Sequence, residues 1–161
     1  MPAGIHLKHR SNIPEYAKVV FERFNEAGKP TFAQRAMAAR DEGKAGFIIG
    51  RDSYGQGSSR EHAAICPMYL GVKAVIAMAI ERIHAANLVN FGIIPLIFVD
   101  RADYDAIAEG DSIQISDVRK ALENREEIVA VVNGSKQIRL KYNLTDEDIR
   151  IILAGGRLNL R

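Results

Sequence analysis

Short continuous apolar runs alternate with segments of helical spacing over the first two thirds of the chain. Three of these runs predict buried strands, at residues 46–50, 72–77 and 94–99, the last with a proline that favours an edge position or an irregular start. The intervening apolar spacing predicts helices at residues 14–25, 31–40, 61–70 (interrupted near Pro67), 80–91 and 102–108. Alternation of strand and helix is typical of a parallel sheet.

The last third of the chain has a different pattern. Residues 112–116 alternate between apolar and polar side chains, and residues 128–132 and 137–141 flank an Asn133-Gly134 pair that is typical of a hairpin. Thr145 to Asp148 fit a capping box that opens a final helix at 148–154. The sequence therefore predicts one α/β domain over residues 1–161, with a mainly parallel central sheet flanked by helices and an appended antiparallel hairpin.

Charge and cysteine content narrow the class of protein. The formal net charge is +2 without a block of like charges, which argues against a nucleic-acid or membrane partner. Cys66 is the only cysteine, so the chain forms no internal disulfide and cannot by itself hold an iron–sulfur cluster. Since no signal peptide or transmembrane run is visible, we expect a cytoplasmic protein.

Candidate chemistry is concentrated between the first strand and the following helix. We call residues 51–60 the Gly-Ser loop; it contains Gly55 and Gly57, then Ser58-Ser59-Arg60. The glycines allow a sharp turn close to a ligand, and Arg60 can hold a carboxylate. A serine beside an arginine and a helix start can act as a base or nucleophile, or bind substrate. The alternative is structural, because Ser58 and Glu61 also have the spacing of a capping box.

Several standard sites do not fit these residues. Arg60 stands where a dinucleotide fingerprint has its third glycine, and neither a phosphate-loop motif nor G-x-S-x-G occurs. His62 and His84 fall in predicted helices, which favours packing or supporting roles. His6 and His9 lack neighbouring ligands at a metal spacing, so we expect no metal site.

The Gly-Ser loop belongs to a longer run, Tyr-Gly-Gln-Gly-Ser-Ser-Arg-Glu-His-Ala-Ala at residues 54–64, which resembles the signature of the C-terminal swivel domain of aconitase. The resemblance extends to residues 1–4, 10–14, 69–77, 81–96 and 153–159. Two departures stand out. Met-Ala-Ile-Glu at 78–81 replaces the usual Lys-Ser-Phe-Ala, and the family's Thr-Thr-Asp-His-Ile run does not precede Met1.

The resemblance implies both a fold and a chemistry. It implies a swivelling β/β/α-type domain that closes over a body bearing a [4Fe–4S] cluster on other domains or a large subunit. It implies that Ser58 is the base in the interconversion of citrate, cis-aconitate and isocitrate. It further implies that Ser59, Arg60 and Arg10 bind the tricarboxylate, with Arg10 on a terminal carboxylate. This chain, a small subunit or a fragment of a longer enzyme, is then incomplete without that partner.

Alternative functions stay open at this point. One is the small subunit of 3-isopropylmalate or homoaconitate dehydratase, which more often shows Gly-Cys-Gly-Ser-Ser-Arg. Gln56 and residues 10–14 favour aconitase instead. Another is a non-catalytic anion-binding module that kept the fold without a partner. An RNA-binding face is the weakest alternative, given the modest charge.

Overall fold

A single mixed sheet organises the chain. The computed structural model describes residues 4–57 and 61–160, and within them the strands are β1 (Gly46–Gly50), β2 (Val72–Ala77), β3 (Ile94–Phe98), β4 (Ile113–Ile115), β5 (Ile128–Val132) and β6 (Lys136–Lys141). Their order across the sheet is β1-β2-β3-β6-β5-β4. β1, β2 and β3 pair in parallel, whereas β6, β5 and β4 pair antiparallel. The α/β class with a parallel part and an added hairpin is therefore confirmed.

Helices cover the sheet and connect its parallel strands. They are α1 (Ile13–Ala17), α2 (Phe32–Asp41), α3 (His62–Tyr69), α4 (Arg82–Asn90), α5 (Val118–Glu123) and α6 (Asp146–Leu153), with 3-10 turns at Leu7–His9, Glu22–Phe24, Arg101–Ala106 and Arg157–Asn159. The described part of the chain contains no helix of the length and apolarity that a membrane span requires.

The core follows from the predicted apolar runs. β2 is buried at every position except Lys73, as expected for a strand covered on both faces. A second cluster lies apart from the sheet, where α1, α2 and α3 bury Tyr16, Ala33 and Cys66. Because this cluster joins α1 to α3, it ties the beginning of the chain to the helix that follows the Gly-Ser loop.

Two local signals in the last third are confirmed. Asn133 and Gly134 both have positive φ, 50° and 71°, and they connect β5 to β6 in a hairpin. Thr145 and Asp148 form the expected capping box, although α6 starts at Asp146, two residues earlier than predicted.

Helix boundaries near the N-terminus differ from the prediction. The helix predicted over 14–25 ends at Ala17, because the chain turns after it and Phe21 adopts a left-handed conformation with φ 55°. That turn places the Phe21 ring edge-on against Phe32 of α2, with centroids 4.9 Å apart. Tertiary packing outweighs the helical spacing here.

The prolines also behave differently from the prediction. α3 continues through the buried Pro67 without the predicted interruption. A proline lacks the N–H group and so removes one backbone hydrogen bond of the helix. The helix tolerates this loss because its residues around Pro67 are packed in the core. β3 lies inside the sheet rather than at its edge. Pro95 is nevertheless tolerated, because β6 pairs with β3 only at Ile97 and Phe98, so the missing N–H lies where β3 has no second neighbour.

Two further elements complete the corrections. The short helix predicted at 102–108 is a 3-10 turn, Arg101–Ala106. α5 was not predicted, because it has only six residues, buries only Leu122 and follows Asp117, whose side chain makes no cap hydrogen bond.

Candidate functional site

The Gly-Ser loop begins as a continuation of the parallel ladder. Beyond the ends of β1 and β2, the Tyr54 N–H donates to the Ala79 carbonyl and the Glu81 N–H donates to the Tyr54 carbonyl, both at 2.9 Å. Tyr54 and Ile80 form a parallel bridge. The first half of the loop is therefore held at the carboxyl edge of the parallel strands, where α/β sheets bind ligands.

Gly55 brings the loop directly onto the His84 ring of α4. Gly55 has φ +95°, and a Cβ added there would lie 2.4 Å from the His84 Cβ and 2.5 Å from its Cγ. The His84 ring also packs on Tyr54, with centroids 5.3 Å apart. The sequence requires glycine at 55 for two reasons, the left-handed backbone and the absence of room for a side chain.

An open recess of about 340 Å³ lies beside this contact, lined by residues 55–57 and 81–84. It includes the N-terminal end of α4, where the Glu81 side chain makes no capping hydrogen bond. Free N–H groups and the helix dipole at such an end favour a negatively charged group. The start of α4 therefore offers partial positive charge to this recess, whose lining also carries one acidic and one basic side chain, Glu81 and Arg82.

The third parallel strand contributes ionic contacts at the same edge. Nη2 of Arg101, just after β3, lies 2.7 Å from both carboxylate oxygens of Asp52 in the Gly-Ser loop. Arg51 places its guanidinium over the Tyr104 ring, 5.3 Å from the centroid. Because these pairs are exposed, we attribute orientation rather than much stability to them.

Arg10 follows the 3-10 turn Leu7–His9, and hydrogen bonds hold the backbone before and after it. Its N–H donates to the Leu7 carbonyl at 3.1 Å, and the Asn12 side chain accepts from the Glu15 N–H at the start of α1. The Arg10 carbonyl lies 2.9 Å from Nε2 of His62, the first residue of α3. The side chain of Arg10 is exposed, and its guanidinium forms no ion pair with any acidic group of residues 4–57 or 61–160.

Of the four site residues predicted from the sequence, the structure describes Arg10. Arg10 is brought next to α3 by the bond between its carbonyl and His62, and its role as a carboxylate clamp stays a prediction. Ser58, Ser59 and Arg60 lie outside the described residues, so their roles as base and carboxylate contacts stay predictions, as does the alternative capping role of Ser58.

Burial sets the protonation state of the neighbouring groups. Desolvation raises the pKa of the Tyr54 phenol to about 12, so Tyr54 stays protonated at neutral pH and is unsuited to be a base. Desolvation lowers the pKa of His84 from its usual value. His84 is only 5% exposed and its Nε2 has no hydrogen-bond partner in the described part of the chain, so the ring is kept neutral.

The described residues do not fit an iron–sulfur cluster. Cys66 is the only cysteine of the chain, is fully buried, and has a thiol pKa raised to about 11 by desolvation, so it offers no accessible thiolate. Within 4–57 and 61–160, no three His, Cys, Asp or Glu side chains are grouped to hold a metal ion.

Sequence reasoning expected packing or supporting roles for both helical histidines, and the structure gives those roles specific partners. His84 packs beneath Gly55, and His62 bonds to the backbone of Arg10 across 52 positions. No local spacing relates residue 10 to residue 62. The two segments meet because α1 packs against α3 in one apolar cluster, a long-range contact that the sequence analysis did not predict.

We expect Gly55→Ala to destabilise the fold by about 2 to 4 kcal/mol, because the new methyl would both strain the backbone and overlap the His84 ring. Gly57→Ala is the matched control. A Cβ at Gly57 would have no heavy atom within 4 Å, and we expect a change within about 0.5 kcal/mol. Urea unfolding measures both variants, and equal stabilities would contradict the close contact.

We expect His84 to make the fold less stable in mild acid. Its folded pKa is depressed, so below the usual histidine value near 6.5 the unfolded chain takes up a proton that the folded chain excludes. The free energy of unfolding should fall by up to about 1.4 kcal/mol per pH unit below that value. The charged groups beside the ring, Glu81 and Arg82, are common to the wild type and the variant.

The measurement is urea unfolding of the wild type and His84→Gln between about pH 7 and pH 5. The wild type should show the steeper loss, since the glutamine side chain of the variant does not titrate. Parallel curves for the two proteins would show that His84 takes up its proton equally in the folded and unfolded states.

Comparison with known proteins agrees with the resemblance seen in the Gly-Ser loop. The Aconitase C-terminal domain family matches residues 7–101, more than half of the chain. A putative mitochondrial aconitate hydratase of Emericella nidulans is 34% identical over 144 residues, which cover 85% of this chain and 18% of that protein. The mitochondrial homocitrate dehydratase of Saccharomyces cerevisiae is 33% identical over 178 residues, covering 98% of this chain and 23% of that protein.

A solved structure extends the similarity to the fold. The crystal structure of 3-isopropylmalate dehydratase from Methanocaldococcus jannaschii superposes with a TM-score of 0.57 at 30% identity, covering 90% of this chain and 84% of that one. The chain spans less than a quarter of the length of the two curated relatives above. The family match, these identities and the shared fold show that the chain belongs to the aconitase C-terminal domain family.

Proposed function

We propose that this chain is the swivel domain of an aconitase-type hydro-lyase that interconverts citrate and isocitrate through cis-aconitate. In this proposal Ser58 is the base that takes a proton from carbon. Ser59, Arg60 and Arg10 hold the carboxylates of the substrate. The rest of the active site belongs to other domains of a longer enzyme or to a large subunit.

The observation that best supports this proposal is the pair of anchors on either side of residues 58–60. On one side Gly57 lines the recess at the start of α4. On the other side His62 bonds to the Arg10 carbonyl. Residues 58–60 are the covalent link between these anchors, so the motif of the family joins the recess at the start of α4 to the segment bonded to Arg10, whose guanidinium has no ion pair among residues 4–57 and 61–160.

This arrangement suits proton removal next to a carboxylate. A serine hydroxyl becomes a base only when its alkoxide is stabilised, and Arg60 supplies a neighbouring positive charge. In the forward step Ser58 takes the proton from carbon, the C–H electron pair forms the double bond, and the neighbouring hydroxyl leaves with the C–O electron pair. A proton from solvent or from an acid on the partner domains converts that hydroxyl to water, while the carbon-derived proton stays on Ser58. Two separate arginines fix the orientation of the carboxylates during this step.

The group that assists the departing hydroxyl is not among the described residues. We propose that a [4Fe–4S] cluster occupies the partner domains or subunit, since the single buried cysteine of this chain does not fit it. The cytoplasmic location expected from the sequence likewise stays a prediction.

A second substrate is favoured by specific similarities. Of the two curated relatives named above, the homocitrate dehydratase matches the larger share of this chain, 98%. The similar solved structure is a 3-isopropylmalate dehydratase. A dehydratase of isopropylmalate or homocitrate is therefore the second candidate. The chemistry would be the same, and the difference would lie in the substituent that faces Arg10.

The base can be tested by complementation. The chain is mixed anaerobically with a cluster-loaded aconitase that lacks its own C-terminal domain, and cis-aconitate is followed by ultraviolet absorbance. We expect turnover only in the mixture. Ser58→Ala should lower kcat by about 10²- to 10⁴-fold, the usual contribution of a positioned general base.

Ser135→Ala is the matched control, because Ser135 is exposed in the β5–β6 turn and should leave turnover unchanged. Full activity of Ser58→Ala would contradict its role as base. A stable complex of the two proteins without turnover of any hydroxy acid tested would overturn the enzyme proposal and favour the non-catalytic anion-binding module.

The substrate is tested with a panel in the same mixture. Citrate and homocitrate both offer a carboxylate to the Arg10 clamp and differ by one methylene, whereas 3-isopropylmalate offers an apolar isopropyl group. We expect kcat/KM for citrate to exceed that for 3-isopropylmalate by at least about 10³-fold, because an apolar group would leave the arginine unpaired. Each substrate is also tried with the cluster-bearing partner of its own enzyme. A higher kcat/KM for 3-isopropylmalate than for citrate would assign the chain to the second candidate.

A further inference from the structure

One hydrogen bond joins the N-terminal turn to the helix that follows the Gly-Ser loop. Nε2 of His62 lies 2.9 Å from the carbonyl oxygen of Arg10. A carbonyl can only accept, so Nε2 must be the donor, and the ring carries its proton on Nε2. The bond therefore selects one tautomer of the histidine.

Among residues 4–57 and 61–160, the bond to Arg10 is the one polar contact of the His62 ring. The His62 ring packs on Tyr16 of α1, with centroids 5.2 Å apart and planes inclined at 47°, and Tyr16 is 1% exposed. Nδ1 of His62 is buried and has no partner among residues 4–57 and 61–160. An unpaired buried nitrogen is unfavourable, and an apolar ring would pack without it. Packing alone therefore does not account for a histidine here.

The bond acts on Arg10, whose guanidinium forms no ion pair with an acidic group in the described part of the chain. The backbone of Arg10 is held by Leu7 on one side and by His62 on the other, whereas its guanidinium projects from an exposed position. A fixed backbone with an unpaired guanidinium is the arrangement that carboxylate recognition requires, because the geometry is set before the ligand arrives.

We propose that His62 is a positioning residue that sets the place of Arg10 relative to α3, and thereby the position from which the Arg10 guanidinium reaches a substrate carboxylate. The inference rests on the proposed function, since it concerns the same site. His62 acts through the Arg10 backbone and does not touch the substrate.

The first test uses this chain alone and needs no turnover. Long-range ¹H–¹⁵N correlation spectra of the histidine rings should show the Nε2–H tautomer for His62. In His62→Phe, the amide protons of Arg10 and Asn12 should exchange with solvent about tenfold faster, the loss expected for one hydrogen bond. In His62→Gln, whose side-chain amide donates from a similar position, their exchange should stay within about threefold of wild type.

The second test uses the complementation mixture. His62→Phe should raise KM for citrate about tenfold while kcat changes by less than about threefold, because a displaced arginine weakens substrate binding more than proton transfer. His62→Gln should restore most of the loss. A purely structural role would instead lower the folded fraction equally in both variants and leave KM unchanged.

These results separate the inference from the proposed function. An Nδ1–H tautomer, or unchanged exchange in His62→Phe, overturns the positioning role even where the wild type is active. Silence of the wild-type mixture overturns the proposed function, and the spectra then still decide whether His62 holds Arg10 in place. Equal KM for wild type and His62→Phe in an active mixture also overturns the inference.

Discussion

The contact between the Gly55 backbone and the His84 ring is the constraint on which the site depends. It fixes the Gly-Ser loop against α4, because a glycine with φ +95° allows an approach that any side chain would block. The loop then lines the recess at the start of α4. Without this contact, the hydrogen bonds of Tyr54 would hold only the first residues of the loop, and its direction toward residues 58–60 would not be set.

A second constraint comes from far away in the sequence. The apolar cluster of α1, α2 and α3 anchors the N-terminal turn beside α3, and the His62 side chain bonds it at Arg10. The helix cluster and His62 thus position Arg10, whereas the sheet and His84 position the Gly-Ser loop as far as Gly57. Each of these two segments is held by a contact with a histidine.

The sequence predicted much of the fold, and the reasons for its failures are physical. Continuous apolar runs identified the three parallel strands, and the Asn133-Gly134 pair and the Thr145 capping box identified the hairpin and α6, because these signals are local. α1 ended early and α5 was missed, because packing around Phe21 and Leu122 decided their bounds. Strand order and the His62–Arg10 bond link distant residues, so no local pattern carried them. The motif predicted the site from a family resemblance, and the roles of Ser58, Ser59 and Arg60 stay predictions.

The most direct test of this account is a crystal structure of the chain together with its cluster-bearing partner and a bound tricarboxylate. The account predicts carboxylate oxygens within hydrogen-bond distance, about 2.7 to 3.0 Å, of both the Arg10 and Arg60 guanidinium groups, with Ser58 facing the carbon that loses its proton. A tricarboxylate bound away from the recess, or Arg10 directed away from the ligand while the His62 bond is intact, would contradict it.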